Sequence, residues 1–397
     1  MILCQEGYRA GTKISEGLSA GILDGVIVSP RYHDPSEIGR YVAELRNQGP
    51  DAYIVVDPEF HLGVVKGDKV GKLAGYAHYH DNLDWSSFTA TRVAQYVDEV
   101  LTLQQGLSVS RVLSPGIAIR ALTDWHSSAS LSLFDQSINQ LGRSDARKRL
   151  LLTLVLGDEI FRNRDDADGL LNALTILDCR GFYINVDRQN TSDTLWCGNG
   201  QDVTFGNFLY LVHALSMNGF EVICGYTDFT GVLILGAGAT GVASGWFKKQ
   251  RLFDSGRFAP APPGGRTPKG YYASLPIMNW IALSPDIDIL ARAGVLDKIT
   301  SGTPYDSWLK DPKRDERWTQ ETSVHEFWTA MKQVDAALDG STQDGRNIFT
   351  RDALARAGQL WEDIRKATLS GAALTTTSTN IPCWKSAYDH FLKRLGK

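Results

Sequence analysis

Gly181-Phe182-Tyr183-Ile184-Asn185-Val186-Asp187-Arg188 is the stretch whose reading decides the fold. Phe182, Ile184 and Val186 are apolar and alternate with Tyr183, Asn185 and Asp187. Side chains on a strand point alternately to its two faces. One face of this strand is therefore wholly apolar, and the other turns polar toward its C-terminal end. A strand buried on both sides and polar only at one end suits a parallel sheet covered by helices.

The same pattern recurs along the chain. Short apolar runs end in Ser29-Pro30-Arg31-Tyr32, Asp57-Pro58-Glu59, Ser114-Pro115-Gly116, Gly157-Asp158-Glu159 and Tyr226-Thr227-Asp228. Eight strands are expected, at residues 25–30, 52–56, 111–114, 150–156, 181–186, 221–225, 241–245 and 271–277. Helical spacing fills most intervals: Ile38, Tyr41, Val42 and Leu45 after the first, and Phe88, Val93, Val97 and Val100 after the second. Alternating strands and helices favour a parallel sheet, and eight units favour closure. The expected fold is α/β, a (β/α)8 TIM-type barrel over residues 1–299 with a helical C-terminal extension over 300–397 packed on it. The chain's 397 residues accommodate such a barrel, which needs about 250.

Composition narrows the function classes. Hydrophobic residues at 43% and charged residues at 22% are those of a globular protein. A net charge of -4 gives no overall attraction to nucleic acid or an anionic membrane. No run is long and apolar enough to span a bilayer, and residues 1–20 lack the pattern of a secretory signal. Five cysteines without a CxxC pair argue against a disulfide framework and a zinc knuckle, so a cytoplasmic setting is expected. Neither GxGxxG nor GxxxxGK[ST] follows the strand at 25–30, so no nucleotide cofactor is expected.

In a barrel of this kind the strand C-termini form one rim, and active sites sit there. Parity assigns Ser29, Arg31, Asp57, Glu59, Glu159, Asn185, Asp187, Tyr226 and Asp228 to the inward set. Crowded carboxylates push one another's pKa values apart and supply an acid and a base. Asp57, Glu59, Glu159, Asp187 and Asp228 are the candidate catalytic residues. Ser29, Arg31, Asn185, Arg188 and Tyr226 are candidate substrate contacts. Paired carboxylates are the equipment of glycosidic bond chemistry, which points to a hydrolase or a glycosyl-transferring enzyme. The bland alternative is ion pairing with Arg31 and Arg188 together with helix capping.

The segment 246–270, after the strand at 241–245, carries six basic residues against the single acid Asp254. Trp246, Lys248, Lys249 and Arg251 are its candidate contacts to a phosphorylated small molecule, a nucleotide or a nucleic acid. Read alone, this basic loop supports a second function: a non-catalytic barrel that binds nucleic acid or protein. A third option is a metal held by His78 and His80, with His61 upstream. No third ligand is evident for it, and no resident metal is expected.

Gly236 to Phe253, a glycine-rich strand followed by basic residues, resembles the late barrel of tRNA-guanine transglycosylases. That family's cysteine-rich zinc motif is absent, and its nucleophilic Asp has no counterpart within Gly241 to Trp246. The resemblance therefore implies the barrel fold and transfers no residue role.

Overall fold

The computed structural model describes residues 1–65, 70–188, 196–197, 200–258, 270–368 and 374–397. Nine parallel strands form one sheet: β1 (Ile2–Gln5), β2 (Gly25–Val28), β3 (Tyr53–Val56), β4 (Val112–Leu113), β5 (Ala118–Ile119), β6 (Leu150–Gly157), β7 (Gly181–Asp187), β8 (Glu221–Cys224) and β9 (Gly241–Ser244). Their order around the sheet is β3-β2-β1-β9-β8-β7-β6-β4, with β5 also on β6. β4 and β5 are two pieces of one barrel position, both paired to β6. β1 pairs with β2 on one side and β9 on the other, so eight positions form a nearly closed barrel. At the remaining seam Ser110 donates its N–H to the Ile54 carbonyl at 2.7 Å, and its hydroxyl accepts from Ile54 N at 3.1 Å.

The helices α1 (Lys13–Ser19), α2 (Ile38–Gln48), α3 (Ala90–Gln105), α4 (Trp125–Leu141), α5 (Arg164–Thr175), α6 (Gln201–Met217) and α7 (Thr230–Gly236) alternate with the strands. Beyond the barrel lie α8 (Asp288–Arg292), α9 (Arg314–Arg317), α10 (Gln320–Leu338), α11 (Gln343–Thr368) and α12 (Asn380–Arg394). α10 is tied to the base of the barrel by Lys332 on Asp24, 2.7 Å, and by Asp335 on the N-terminal ammonium, 2.7 Å. α12 packs on α6, where Asn207 Oδ1 accepts from Arg394 at 2.7 Å and the Arg394 guanidinium lies 3.8 Å from the Tyr210 ring centre.

Two strand assignments change. The first barrel strand is Ile2–Gln5, so the strands expected at 25–30 and 241–245 are the second and eighth positions. Four residues with no helix before them carry too little pattern to read as a strand. Their partners lie far away in sequence, with Leu3 opposite Gly25 and Ile2 opposite Val242. The segment expected as the eighth strand forms an antiparallel hairpin outside the barrel, β10 (Tyr271–Ser274) with β11 (Asn279–Ala282).

The inward parity is borne out at most positions. Leu3, Ile27, Tyr53, Val55, Leu113, Leu151, Tyr183, Ile223 and Ala243 form the apolar cluster inside the barrel, with a member from every barrel position. The outward residues, among them Leu152, Leu154, Phe182 and Ile184, join the larger core beneath the helices. β8 departs from the expected parity: Ile223 faces the axis and Cys224 belongs to the outer core.

Strand spacing at β7 and β8 leaves no room for a side chain at Gly181. A Cβ there would sit 1.9 Å from the Glu221 carbonyl oxygen. Gly181→Ala is expected to destabilise the chain by about 3 kcal/mol, read as a lower urea midpoint, because two backbones must part. An unchanged midpoint would show that the strands separate there without cost.

Candidate functional site

The C-terminal rim carries three groups of charged residues. The first is built on β1, β2 and β3. Asp57 and Glu59, 1% and 2% exposed, lie beyond the end of β3. Glu59 takes a left-handed backbone conformation, φ 49°, and donates its N–H to Asp57 Oδ1 at 2.9 Å. Its carboxylate accepts from the Ser29 hydroxyl at 2.8 Å and lies 3.8 Å from Arg31. Glu6, just past β1, accepts from Ser29 N at 2.9 Å and from the Tyr41 hydroxyl at 2.8 Å. Asp57 Oδ2 has no hydrogen-bond partner. Burial, then the charge of Glu59, pushes the Asp57 carboxyl up to about 7, against the opposing pull of the Glu59 N–H and the Tyr183 hydroxyl.

Tyr183 connects opposite walls. It rises from β7, donates to Gln5 Oε1 at 3.2 Å and interacts with Asp57. Burial and the neighbouring Asp57 hold its phenol protonated, well above the ordinary range. Asn185, fully buried on the same face, lies beside Tyr183. Gly225 makes room for both, since a Cβ there would lie 2.2 Å from Asn185 Oδ1 and 3.0 Å from the Tyr183 hydroxyl.

The second group joins β5, β6 and β7. Arg120 donates to Asp187 and, at 3.3 Å, to Glu159. Asp187, with no exposed surface, also accepts from Ser255 N at 2.9 Å and the Ser255 hydroxyl at 2.6 Å. Glu159 keeps its side chain 38% exposed. The third group lies at the start of α7. Asp228 accepts from Phe229 N at 2.8 Å and Trp280 Nε1 at 2.7 Å, and stands 3.9 Å from Arg251.

The segment after β9 covers this rim. Gln250 donates to the Gln5 carbonyl at 2.9 Å and accepts from Phe247 N at 2.8 Å. It fits only because Gly7 and Gly245 lack side chains: a Cβ on either would fall 1.9 Å or 2.6 Å from the Gln250 amide. Phe253 packs on His61 and Tyr226, with ring centres 5.1 Å and 5.0 Å apart, and its carbonyl accepts from Arg188 N at 3.0 Å. Trp246 is buried and donates to the Tyr8 carbonyl at 3.2 Å. Under this cover, with Ser255 on Asp187, the rim carboxylates Asp57, Glu59, Asp187 and Asp228 are buried, while Glu159 stays partly exposed.

The structure thus brings Ser29, Arg31, Asp57 and Glu59 together, and separately Glu159 with Asp187. Asp228 is set apart from both: Cys224 on β8 already faces the outer core, not the axis, and Tyr226 beyond it takes a left-handed conformation, φ 54°. Lys248 and Lys249 are exposed on a short turn, whereas Arg251 is largely buried. The basic residues Arg266 and Lys269 lie outside the described residues. Arg120, Gln5, Gln250 and Ser255 are rim residues that sequence parity missed. Arg120 had a legible signal in the alternation Ile117-Ala118-Ile119-Arg120, which belongs to a strand of two residues.

The histidines are engaged singly. His78 is bonded to the Pro58 carbonyl at 2.9 Å, and burial pushes its imidazole down to about 4. His80 pairs with Glu99 at 2.6 Å. Among the described residues, the group of three metal-type ligands that lies together is Glu16, Glu321 and His325, on α1 and α10. No helix among the described residues is long and apolar enough to cross a membrane.

The fold and rim define a (β/α)8 barrel with buried charged groups at the strand C-termini. No family model matches the chain, and no curated protein matches it.

Proposed function

We propose that the chain is a barrel enzyme in which Asp57 and Glu59 perform acid–base chemistry on a small substrate held at the rim. The observation that carries this reading is the Asp57–Glu59 pair itself. Two carboxylates are buried side by side at the end of the barrel where such folds place their chemistry, and one has an oxygen free of any hydrogen bond. A carboxyl titrating near neutrality is suited to give and take a proton at working pH. Arg31 beside Glu59 supplies a positive charge for a developing anion. Tyr183 and Asn185 offer hydrogen-bonding groups between the walls. Bonds to an anomeric or similar carbon suit this equipment, as in hydrolysis or glycosyl transfer.

The alternative, a binding module working through the basic segment, is less well supported. Of the three cations assigned to it within 248–251, Arg251 is buried against Trp280 and Asp228.

The test is direct. The purified chain is incubated with nucleosides, nucleotides, sugar phosphates and glycosides, and products are followed by mass. Turnover of one class is expected, with an inflection near pH 7 that moves or vanishes in Asp57→Asn. Absence of turnover across all four classes, or an unchanged rate in both Asp57→Asn and Glu59→Gln, would overturn the reading.

A further inference from the structure

We propose that a small amphiphile with one anionic head, a medium-chain carboxylate in the first instance, binds in a cavity between the β10–β11 hairpin, α10 and α11. The site lies outside the barrel and is independent of the chemistry at the rim.

The cavity measures about 570 Å³, within the range of about 300–1,000 Å³ that small ligands occupy. Its walls are mainly apolar: Val232 of α7, Leu275 and Met278 of the hairpin turn, Val334 of α10, and Phe349 and Leu360 of α11. None of these is among the exposed large hydrophobic side chains, and Val232, Met278 and Val334 are at most 2% exposed. The apolar surface therefore lines a recess and not a flat patch, which suits the body of a small molecule better than the face of a protein. Hydrogen bonds hold the hairpin turn back from filling the space. The Ile277 carbonyl accepts from Trp361 Nε1 at 3.2 Å, the Met278 carbonyl accepts from Asn380 Nδ2 at 3.1 Å, and Leu275 N donates to Ser301 Oγ at 2.9 Å. Water in such a recess meets few polar partners, and an apolar chain that displaces it gains the hydrophobic contribution.

Charge at the mouth selects the head group. Among the described residues no acidic side chain lines the cavity, whereas Lys298 and Arg356 both do. Arg356 is exposed and has no ion pair among the described residues. Lys298 lies 4.0 Å from Asp363 with both side chains well exposed, conditions under which a pair is weak and screened. A carboxylate at the mouth thus meets two cations while its chain enters the recess. The neutral polar groups of the lining are engaged elsewhere: the Ser301 hydroxyl donates to the Ala273 carbonyl at 2.8 Å, and Gln333 Nε2 donates to the Gly302 carbonyl at 3.4 Å. The ligand's polarity therefore belongs at its head and its body is apolar.

The experiment is calorimetric titration of the full chain with monomeric octanoate and decanoate, and with 1-decanol as the uncharged counterpart. Saturable binding of one decanoate per chain is expected, about tenfold tighter than octanoate because two further methylenes are buried. Decanol should bind more weakly than decanoate. Lys298→Glu combined with Arg356→Glu should weaken decanoate about tenfold or more, since attraction at the mouth becomes repulsion, and leave decanol unchanged. Ala353→Trp fills the recess from a partly exposed position on α11 and should abolish binding of both ligands. If that variant does not fold, the charge reversal and the chain-length comparison decide the matter. Four results would overturn the site: no saturable binding of decanoate, equal affinity for octanoate and decanoate, decanoate binding undiminished by the charge reversal, or decanoate binding that survives Ala353→Trp. A chain that is dimeric in solution and becomes monomeric in Ala353→Trp would place a second copy in the cavity and overturn it equally.

Discussion

Asp57→Asn is expected to lower turnover by about 10²–10⁴-fold, the contribution of a positioned acid or base, while making the folded chain more stable at alkaline pH. Both effects have one cause. The Asp57 carboxyl has an ordinary value of 3.8 and is raised to about 7 by burial and by Glu59. The unfolded chain therefore releases this proton near pH 4 and the folded chain near pH 7. Between those values the folded state binds more protons, so stability falls as pH rises through the window and levels off above it. Asparagine keeps an oxygen to accept from Glu59 N and carries no charge to desolvate. Relative to the native chain, the variant should gain on the order of 2–4 kcal/mol between pH 4 and pH 8. Urea unfolding at the two ends of that range measures it. Equal stability differences at both ends would mean that Asp57 does not titrate in the window, and its assignment as the acid–base group would fall with it.

Glu221→Ala is expected to destabilise the chain by about 3–5 kcal/mol, the cost of breaking a buried ion pair by removing one partner. Glu221 begins β8 at the opposite end of the barrel and is 4% exposed. It accepts from the Tyr53 hydroxyl at 2.5 Å, from Arg111 at 2.8 Å and from Arg180 at 3.1 Å. These ties join β3, β8 and the chain entering β4 and β7, so one carboxylate plugs the base of the barrel. Burial raises its pKa, but Arg111, Tyr53 and Arg180 outweigh that, and the net shift is downward. The stability it supplies is present above the ordinary carboxylate range and is lost as pH falls through its lowered value. Chemical unfolding of the variant at pH 7 tests the size. A change below about 1 kcal/mol would place Glu221 with ordinary surface pairs.

The two carboxylates show why one barrel end suits chemistry and the other stability. Glu221 is fully partnered, with cations on two sides. Asp57 lies beside another acid and keeps one oxygen unbonded. Both are buried acids next to apolar strand residues, but Asp57 follows its strand, two residues before Glu59, whereas Glu221 begins its strand.

Much of the barrel was legible because strand alternation is local. GFYINVDR places Tyr183, Asn185 and Asp187 on one face, and all three are buried on the inward parity of β7. The same holds for Ile27 ahead of Ser29 and Arg31, for Val55 ahead of Asp57, and for Leu151 on β6. Parity failed on β8, where Cys224 faces the outer core; beyond it a left-handed backbone at Tyr226 turns the chain, and Asp228 accepts from Phe229 N just ahead of α7 and from Trp280. A positive φ at a tyrosine leaves no mark in sequence, since glycine, not tyrosine, is the residue that signals it.

Local order alone was enough to establish the alternation of strands and helices, the inward face of most strands, and the crowding of acids at their C-terminal ends. These depend on side-chain period and polarity, which operate over a few residues. The tertiary structure alone decided that Ile2–Gln5 opens the barrel, that Tyr271–Ser274 stays out of it, and which acids share a neighbour. It also decided that Gln250 fills the gap left by Gly7 and Gly245 and so draws the basic segment across the rim. Each of these outcomes joins residues from distant parts of the chain. Such pairings are set by the free energy of closing the barrel and burying its mouth, and no short window of sequence contains both partners.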